Sequence, residues 1–354
     1  MGNTNYPSIS LPIPINMVIF ANNTLISAKM NKNTLIIAAL LAASVKIWAS
    51  DPTQCDYAPQ GEYIKDHSII YHDGWYHLYS ISGTAGYYHG NNGNEETVSW
   101  SISQDLVNWE MRGHVMHASL RKGTFDQHEV WAPYCTKANG KFYMFYTGII
   151  HPHRPLTYGK PGPDHKWIYE GHREMLGLAV TEDLTDWTKI SDEKNGLGVY
   201  GRDANVVWYE ENQEWLLYST GPSNVDGLGQ LFVSRSKDLE NWQFWGVCAL
   251  IPEHAESSVV MKHPLTNRWI ILTNDHYVTS DSPLTFLNSE VKEYNLEYNG
   301  QTIDIGYAGE MIEYNGKWYR SGVIGANNYM RLGFTEIEWV KDGAFKIVKP
   351  PVAK

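Results

Sequence analysis

Five times along the chain a polar turn opens into a short aromatic and apolar strand. The five are Gly74-Trp75-Tyr76-His77-Leu78-Tyr79, Gly140-Lys141-Phe142-Tyr143-Met144-Phe145-Tyr146, Glu214-Trp215-Leu216-Leu217-Tyr218, Arg268-Trp269-Ile270-Ile271-Leu272 and Gly316-Lys317-Trp318-Tyr319. The lead aromatics Trp75, Phe142, Trp215, Trp269 and Trp318 stand 49 to 73 residues apart, the length of a four-stranded antiparallel sheet with its loops. Self-similarity at that spacing marks units that bury their faces only by stacking on neighbours, and strands with this composition predict a β-propeller. Five units predict an all-β fold of five four-stranded blades around a central axis, a single domain over residues 51–354 with no linker inside it.

Residues 30–50 carry Lys32, the apolar run Leu35 to Val45 and small residues near Ala49-Ser50, the layout of a secretory signal peptide. Residues 1–29 do not fit such a signal and read as an upstream extension. The apolar run has about half of the ~20 residues a transmembrane helix needs, so no membrane span is expected in the mature chain, which is expected to be secreted or periplasmic. The net charge of −11 has no long acidic run behind it and reads as a solvated acidic surface, which argues against nucleic acid as a partner. Cys55, Cys135 and Cys248 are too few for a disulfide framework and allow one bridge at most.

A second signature follows the third strand of three repeats: Asp105-Leu106-Val107-Asn108-Trp109, Asp183-Leu184-Thr185-Asp186-Trp187 and Asp238-Leu239-Glu240-Asn241-Trp242, with a degenerate copy ending in Phe286. An Asp side chain there accepts turn amides, the Leu points inward and the Trp returns to the blade, so these acids are structural. Reading back about ten residues from each lead aromatic gives the start of the innermost strand, where side chains converge on the channel mouth. Those positions are Asp66, Ala132, Asp203, Glu256 and the stretch from Ala308 to Glu310. Three blades are thus expected to present an acid in register. Glu253 and Glu310 compete with Glu256, and the alternative is that the acids cap blade entrances, with Asp203 paired to Arg202.

Carboxylates converging on one cavity repel, so one retains its proton while another stays ionised, the pairing that glycoside hydrolysis requires. At these residues the chain resembles the five-bladed propeller glycosidases, glycoside hydrolase family 43 above all and family 32 at the level of the clan. The residues that carry the resemblance are Asp66, Trp131-Ala132-Pro133, Gly201-Arg202-Asp203, Glu256 and the Asp-Leu-x-x-Trp turns. Trp131-Ala132-Pro133 leans toward family 43, and Arg202-Asp203 toward family 32. The sequence departs from both at His67, where a Pro is usual, and at Ala204 and Ser257.

The resemblance implies Asp66 as base or nucleophile, Asp203 as transition-state stabiliser and Glu256 as general acid. It implies a hydrolase that removes an arabinofuranosyl, xylosyl or related sugar from a plant or algal oligosaccharide or polysaccharide, with inversion. A retaining β-fructofuranosidase of family-32 type, a glycoside phosphorylase and a non-catalytic carbohydrate-binding propeller are the alternatives. Phosphorolysis would call on Arg154, Lys160, His165, Lys166 and Arg173. Trp131, His128, Glu129, Arg202 and Glu310 are expected to contact substrate. No cofactor and no metal are expected. Calcium occurs in the channel of some family-43 members, but the His expected beside Tyr307-Ala308-Gly309-Glu310 is missing. The His-rich segment His151-Pro152-His153-Arg154, with His165 and His172, reads as a specificity loop.

Overall fold

A computed structural model describes residues 50–87, 94–150, 173–221, 226–325 and 329–352. The proposed leader and upstream extension, the His-rich segment and the phosphate-binding candidates Arg154, Lys160, His165 and Lys166 lie outside the described residues.

The predicted blades are present as five four-stranded antiparallel sheets, each a meander. The first holds β1 (Glu62–His72), β2 (Trp75–Thr84), β3 (Thr97–Ser103) and β4 (Glu110–His117). The second holds β5 (Glu129–Ala138), β6 (Lys141–Ile150), β7 (Arg173–Thr181) and β8 (Thr188–Lys189). The third is β9 (Arg202–Tyr209), β10 (Glu214–Thr220), β11 (Leu228–Ser236) and β12 (Gln243–Pro252). The fourth is β13 (Val259–Lys262), β14 (Trp269–Leu272), β15 (His276–Ser280) and β16 (Lys292–Glu293). A small hairpin, β17 (Glu297–Tyr298) and β18 (Gln301–Thr302), precedes the fifth blade of β19 (Met311–Tyr314), β20 (Lys317–Ile324), β21 (Arg331–Trp339) and β22 (Phe345–Lys349).

Each lead aromatic falls at or next to the start of a second strand, as its turn requires. Asp73-Gly74, Asn139-Gly140 and Asn315-Gly316 all have positive φ at both positions, the two-residue hairpin turn whose twist matches the flanking strands. Among the described residues hydrophobic clusters fill every interface between successive blades. Tyr79 and Val98 meet Phe142 and Tyr146 between blades one and two, for example, and Tyr218 and Leu231 meet Val260 and Trp269 between blades three and four. The ring closes through the segment before β1, where Tyr57 pairs with Leu332 of β21 and Val352 N donates to Thr53 O at 2.9 Å.

The Asp-Leu-x-x-Trp turns have the structural role their sequence predicts. Asp105 Oδ1 accepts the amides of Val107 and Asn108 at 3.0 and 2.8 Å, and Asp238 Oδ1 accepts those of Glu240 and Asn241 at 3.0 and 2.8 Å. Leu106, Leu184 and Leu239 are fully buried at φ of 62°, 66° and 70°. Trp109 and Trp242 donate their indole N–H groups to the carbonyls of Leu106 and Leu239. The three cysteines are buried and free, so the one bridge that their number allowed does not form.

Candidate active site

Each innermost strand enters the axis through a local irregularity. Asp66, Ala132 and Ala308 each stand six residues before the last paired residue of their hairpin, His72, Ala138 and Tyr314. Ala132, Asp203, Ser257 and Ala308 share a left-handed backbone, with φ of 43°, 56°, 50° and 50°. That repeated kink aligns the blades: Asp66, Ala132, Asp203, Ser257 and Ala308 are equivalent and all line one narrow axial pocket. A non-glycine residue held at positive φ is costly, and its recurrence in four blades marks a site that the surrounding fold enforces.

The alignment corrects the sequence reading at one blade. The equivalent of Asp66 and Asp203 in blade four is Ser257, and Glu256 precedes it, in line with Lys65, Trp131, Arg202 and Tyr307 of the other blades. Two acids, not three, share the deeper position. Asp66 and Asp203 also sit within the curved strand entry, since β1 already begins at Glu62 and β9 at Arg202.

Ser257 ties the blades together. Its hydroxyl donates to Asp66 Oδ1 at 2.7 Å and its amide to Asp203 Oδ2 at 3.0 Å, so both carboxyls hang on one residue. Thr220 Oγ1 adds a 3.3 Å contact to Asp203 Oδ2. The Arg202 guanidinium lies 3.6 Å from Asp203 Oδ2, donates to Glu174 Oε2 at 3.0 Å and also donates to Glu256 Oε1. It thereby holds the Glu256 side chain, which is 42% exposed, beside the buried Asp203 and the half-buried Asp66.

Burial pushes the Asp203 carboxyl up to about 8 against the pull of Arg202, and the charges of Asp66 and Glu256 push the same way. Burial likewise raises Asp66, with Glu256 adding to the shift while the Ser257 hydroxyl and the Lys65 ammonium oppose it. Both shifts favour the protonated carboxyl, as repulsion and burial require of acids that share a small cavity. His67, at the usual Pro position, is buried with Nε2 2.8 Å from Ser321 Oγ. Burial and the nearby Arg320 hold it down to about 3, so its ring is neutral.

The other candidates divide. Arg202 bridges the rim, Trp131 stands in the rim register, and Glu310 lines the pocket floor, where its Oε2 accepts Ile69 N–H at 2.7 Å. Burial raises Glu310 to about 8. His128 and Glu129 do not line this pocket among the described residues: the His128 ring is 2.9 Å from Gln127 Nε2, and Glu129 is fully buried at the start of β5. Neither Glu253 nor Glu256 lines the pocket itself; Glu253 is exposed, whereas Glu256 is held by Arg202 beside Asp203, which favours Glu256 over its rival. Ser257, Lys65 and Glu174 were not found from sequence. Ser257 could have been, since Ala132 and Ala308 mark its position as one for small residues. Among the described residues no group of three or more His, Cys, Asp or Glu could hold a metal ion, and the hydrogen bond from Ile69 already occupies Glu310.

The sequence model for glycosyl hydrolases family 43 matches residues 60–230. The "Beta-fructofuranosidase, insoluble isoenzyme 2" of Oryza sativa subsp. indica is 25% identical over 198 residues, 52% of this chain and 29% of that protein. The chain thus matches under a third of that relative's length. A thermostable family-43 glycoside hydrolase of known structure superposes with a TM-score of 0.58 at 16% identity, covering 83% of this chain and 95% of the other. A family-32 β-fructofuranosidase of Bombyx mori does so with a TM-score of 0.59 at 15% identity, covering 91% and 70%. The chain is a five-bladed β-propeller that resembles glycoside hydrolase family 43 and shares a likeness with family 32.

Proposed function

We propose that the protein is a secreted glycoside hydrolase that removes a terminal arabinofuranosyl, xylosyl or related sugar from an oligosaccharide. The observation that carries this reading is the tie through Ser257, which brings Asp66 and Asp203 into one axial pocket, with Glu256 held next to it by Arg202. Asp66 lies deep, where a base faces the anomeric carbon. Glu256 stands on the open side, where an acid meets a leaving oxygen. Asp203 and Arg202 order the pair, and negative charge near the anomeric carbon favours an oxocarbenium-like transition state. The narrow pocket suits one terminal ring better than the middle of a polymer.

The test is hydrolysis of aryl arabinofuranosides, xylosides, galactosides and fructosides by the wild type and by Asp66→Asn. Loss of roughly 100-fold or more in kcat/KM with an unchanged thermal midpoint is the expected result. Equal rates would remove Asp66 from the mechanism. Proton NMR of the first-formed anomer should show inversion.

The second reading, a retaining β-fructofuranosidase, is favoured by the Arg202-Asp203 pair and by the similarity to the rice enzyme. Turnover confined to fructosides, with retention, would establish it in place of the first.

A further inference from the structure

The axis holds a second cavity at its other end. It measures about 560 Å³, within the range of small-molecule sites, and only the layer of Tyr134, Asn205, Val259 and Glu310 separates it from the acidic pocket. Its wall comes from the far ends of the innermost strands of blades three to five: Trp208, Met261, Lys262 and Met311, with Trp269 and Trp318 from the adjoining second strands. Two of the aromatics that announce the blades therefore border this distal mouth.

Exposure differs among these rings: Phe142 and Trp269 are buried, and Trp75, Trp215 and Trp318 are half-buried. Phe142 lies under His72 at 4.9 Å and Lys137 at 5.1 Å, whereas Trp208 remains 37% exposed and Trp318 half-buried. The exposed rings are also held in place. Trp208 donates its indole N–H to Glu210 Oε2 at 2.5 Å and tilts against Trp215 at 5.1 Å, and Trp318 packs edge-on to Trp339 at 5.6 Å. Lys262 is anchored by Glu211 Oε1 at 3.3 Å.

The charge balance selects the ligand. Both charged groups of the wall are already engaged, Lys262 by Glu211 and Glu210 by the Trp208 indole N–H, and burial favours the protonated form of Glu310. A cavity that combines ordered indole faces with one ammonium and one carboxylate, each already paired, suits neither a phosphate nor a cation. It suits a neutral molecule with an apolar face and a girdle of hydroxyls.

We propose that this distal cavity is a second, non-catalytic saccharide site, where a neutral sugar ring stacks on Trp208 and Trp318 and exchanges hydrogen bonds with Glu210 and Lys262. The class of its ligand rests on the saccharide reading of the catalytic pocket. A chain with both sites grips an oligosaccharide or a neighbouring strand of the same polymer on one face while it trims an end on the other.

Calorimetric titration of the full chain with xylotriose, arabinotriose and 1-kestose tests this, in a Glu256→Gln background that suppresses turnover. Two binding events are expected with at least one probe. Trp208→Leu should weaken one of them about tenfold and spare the other. With Glu256 intact, Trp208→Leu should leave kcat/KM on an aryl glycoside at the wild-type value. Glu210→Ala, which empties no core, should weaken the same event and serves if Trp208→Leu lowers the thermal midpoint. A single event, no event with any probe, or two events that ignore both substitutions would overturn the proposal. If no glycoside is turned over, the hydrolase reading fails alone, because the distal site is read by binding.

Discussion

Ser257 is the residue on which the catalytic reading turns, and it looks ordinary in the sequence. Its hydroxyl stabilises the charged form of Asp66, so its removal should raise the Asp66 pKa further. Ser257→Ala is therefore expected to shift the acidic limb of the kcat/KM profile to higher pH, as the base ionises later, and an unmoved limb would remove the Ser257 hydroxyl from control of Asp66. Glu310 offers a complementary test through stability. Its folded pKa of about 8 lies above the ordinary 4.5, so the folded state binds the extra proton and stability falls as pH rises from about 4.5 through 8. Glu310→Gln should flatten that decline in thermal midpoint, and an equally steep decline would show that other groups cause it. Asp66 and Asp203 were legible because an acid just before an apolar strand is conspicuous. Glu256 was found by the same spacing, which placed it in register with the two aspartates although it falls one residue before that position.

The turns were the most readable elements. Asp-Gly and Asn-Gly at Asp73-Gly74, Asn139-Gly140 and Asn315-Gly316 demand positive φ at both central positions, and the structure has it at all three. The Asp-Leu-x-x-Trp corners were readable for the same reason: their hydrogen bonds are local. Asp238 is held down to about 2 by the Asn241 amide foremost. Its contribution is present above the ordinary value of 3.8 and is lost as pH falls toward 2. Asp238→Ala is expected to cost about 1 kcal/mol, comparable to losing a helix cap, with no change in kcat/KM. A large activity loss would contradict the assignment of these acids to structure. The strand entries were less legible. Whether a strand begins at Glu62 or at Asp66 depends on pairing with β2 across a shift in register, which no local pattern announces.

At the scale of the molecule, the count of blades was carried by five aromatics, because every blade needs the same hairpin to meet its neighbours. What the repeat did not carry is the difference between blades: which rings are covered, where a cavity remains, and how Arg202 spans Glu174 and Glu256 from separate blades. Those depend on long-range packing. In the proposed reaction Glu256 protonates a leaving group held above Asp66. Its most direct test compares Glu256→Gln with wild type on one sugar carrying either a 4-nitrophenyl or a sugar leaving group. A loss of roughly 100-fold or more on the oligosaccharide, with a much smaller loss on the activated aryl glycoside, is the predicted result. Equal losses on both, or none on either, would contradict it.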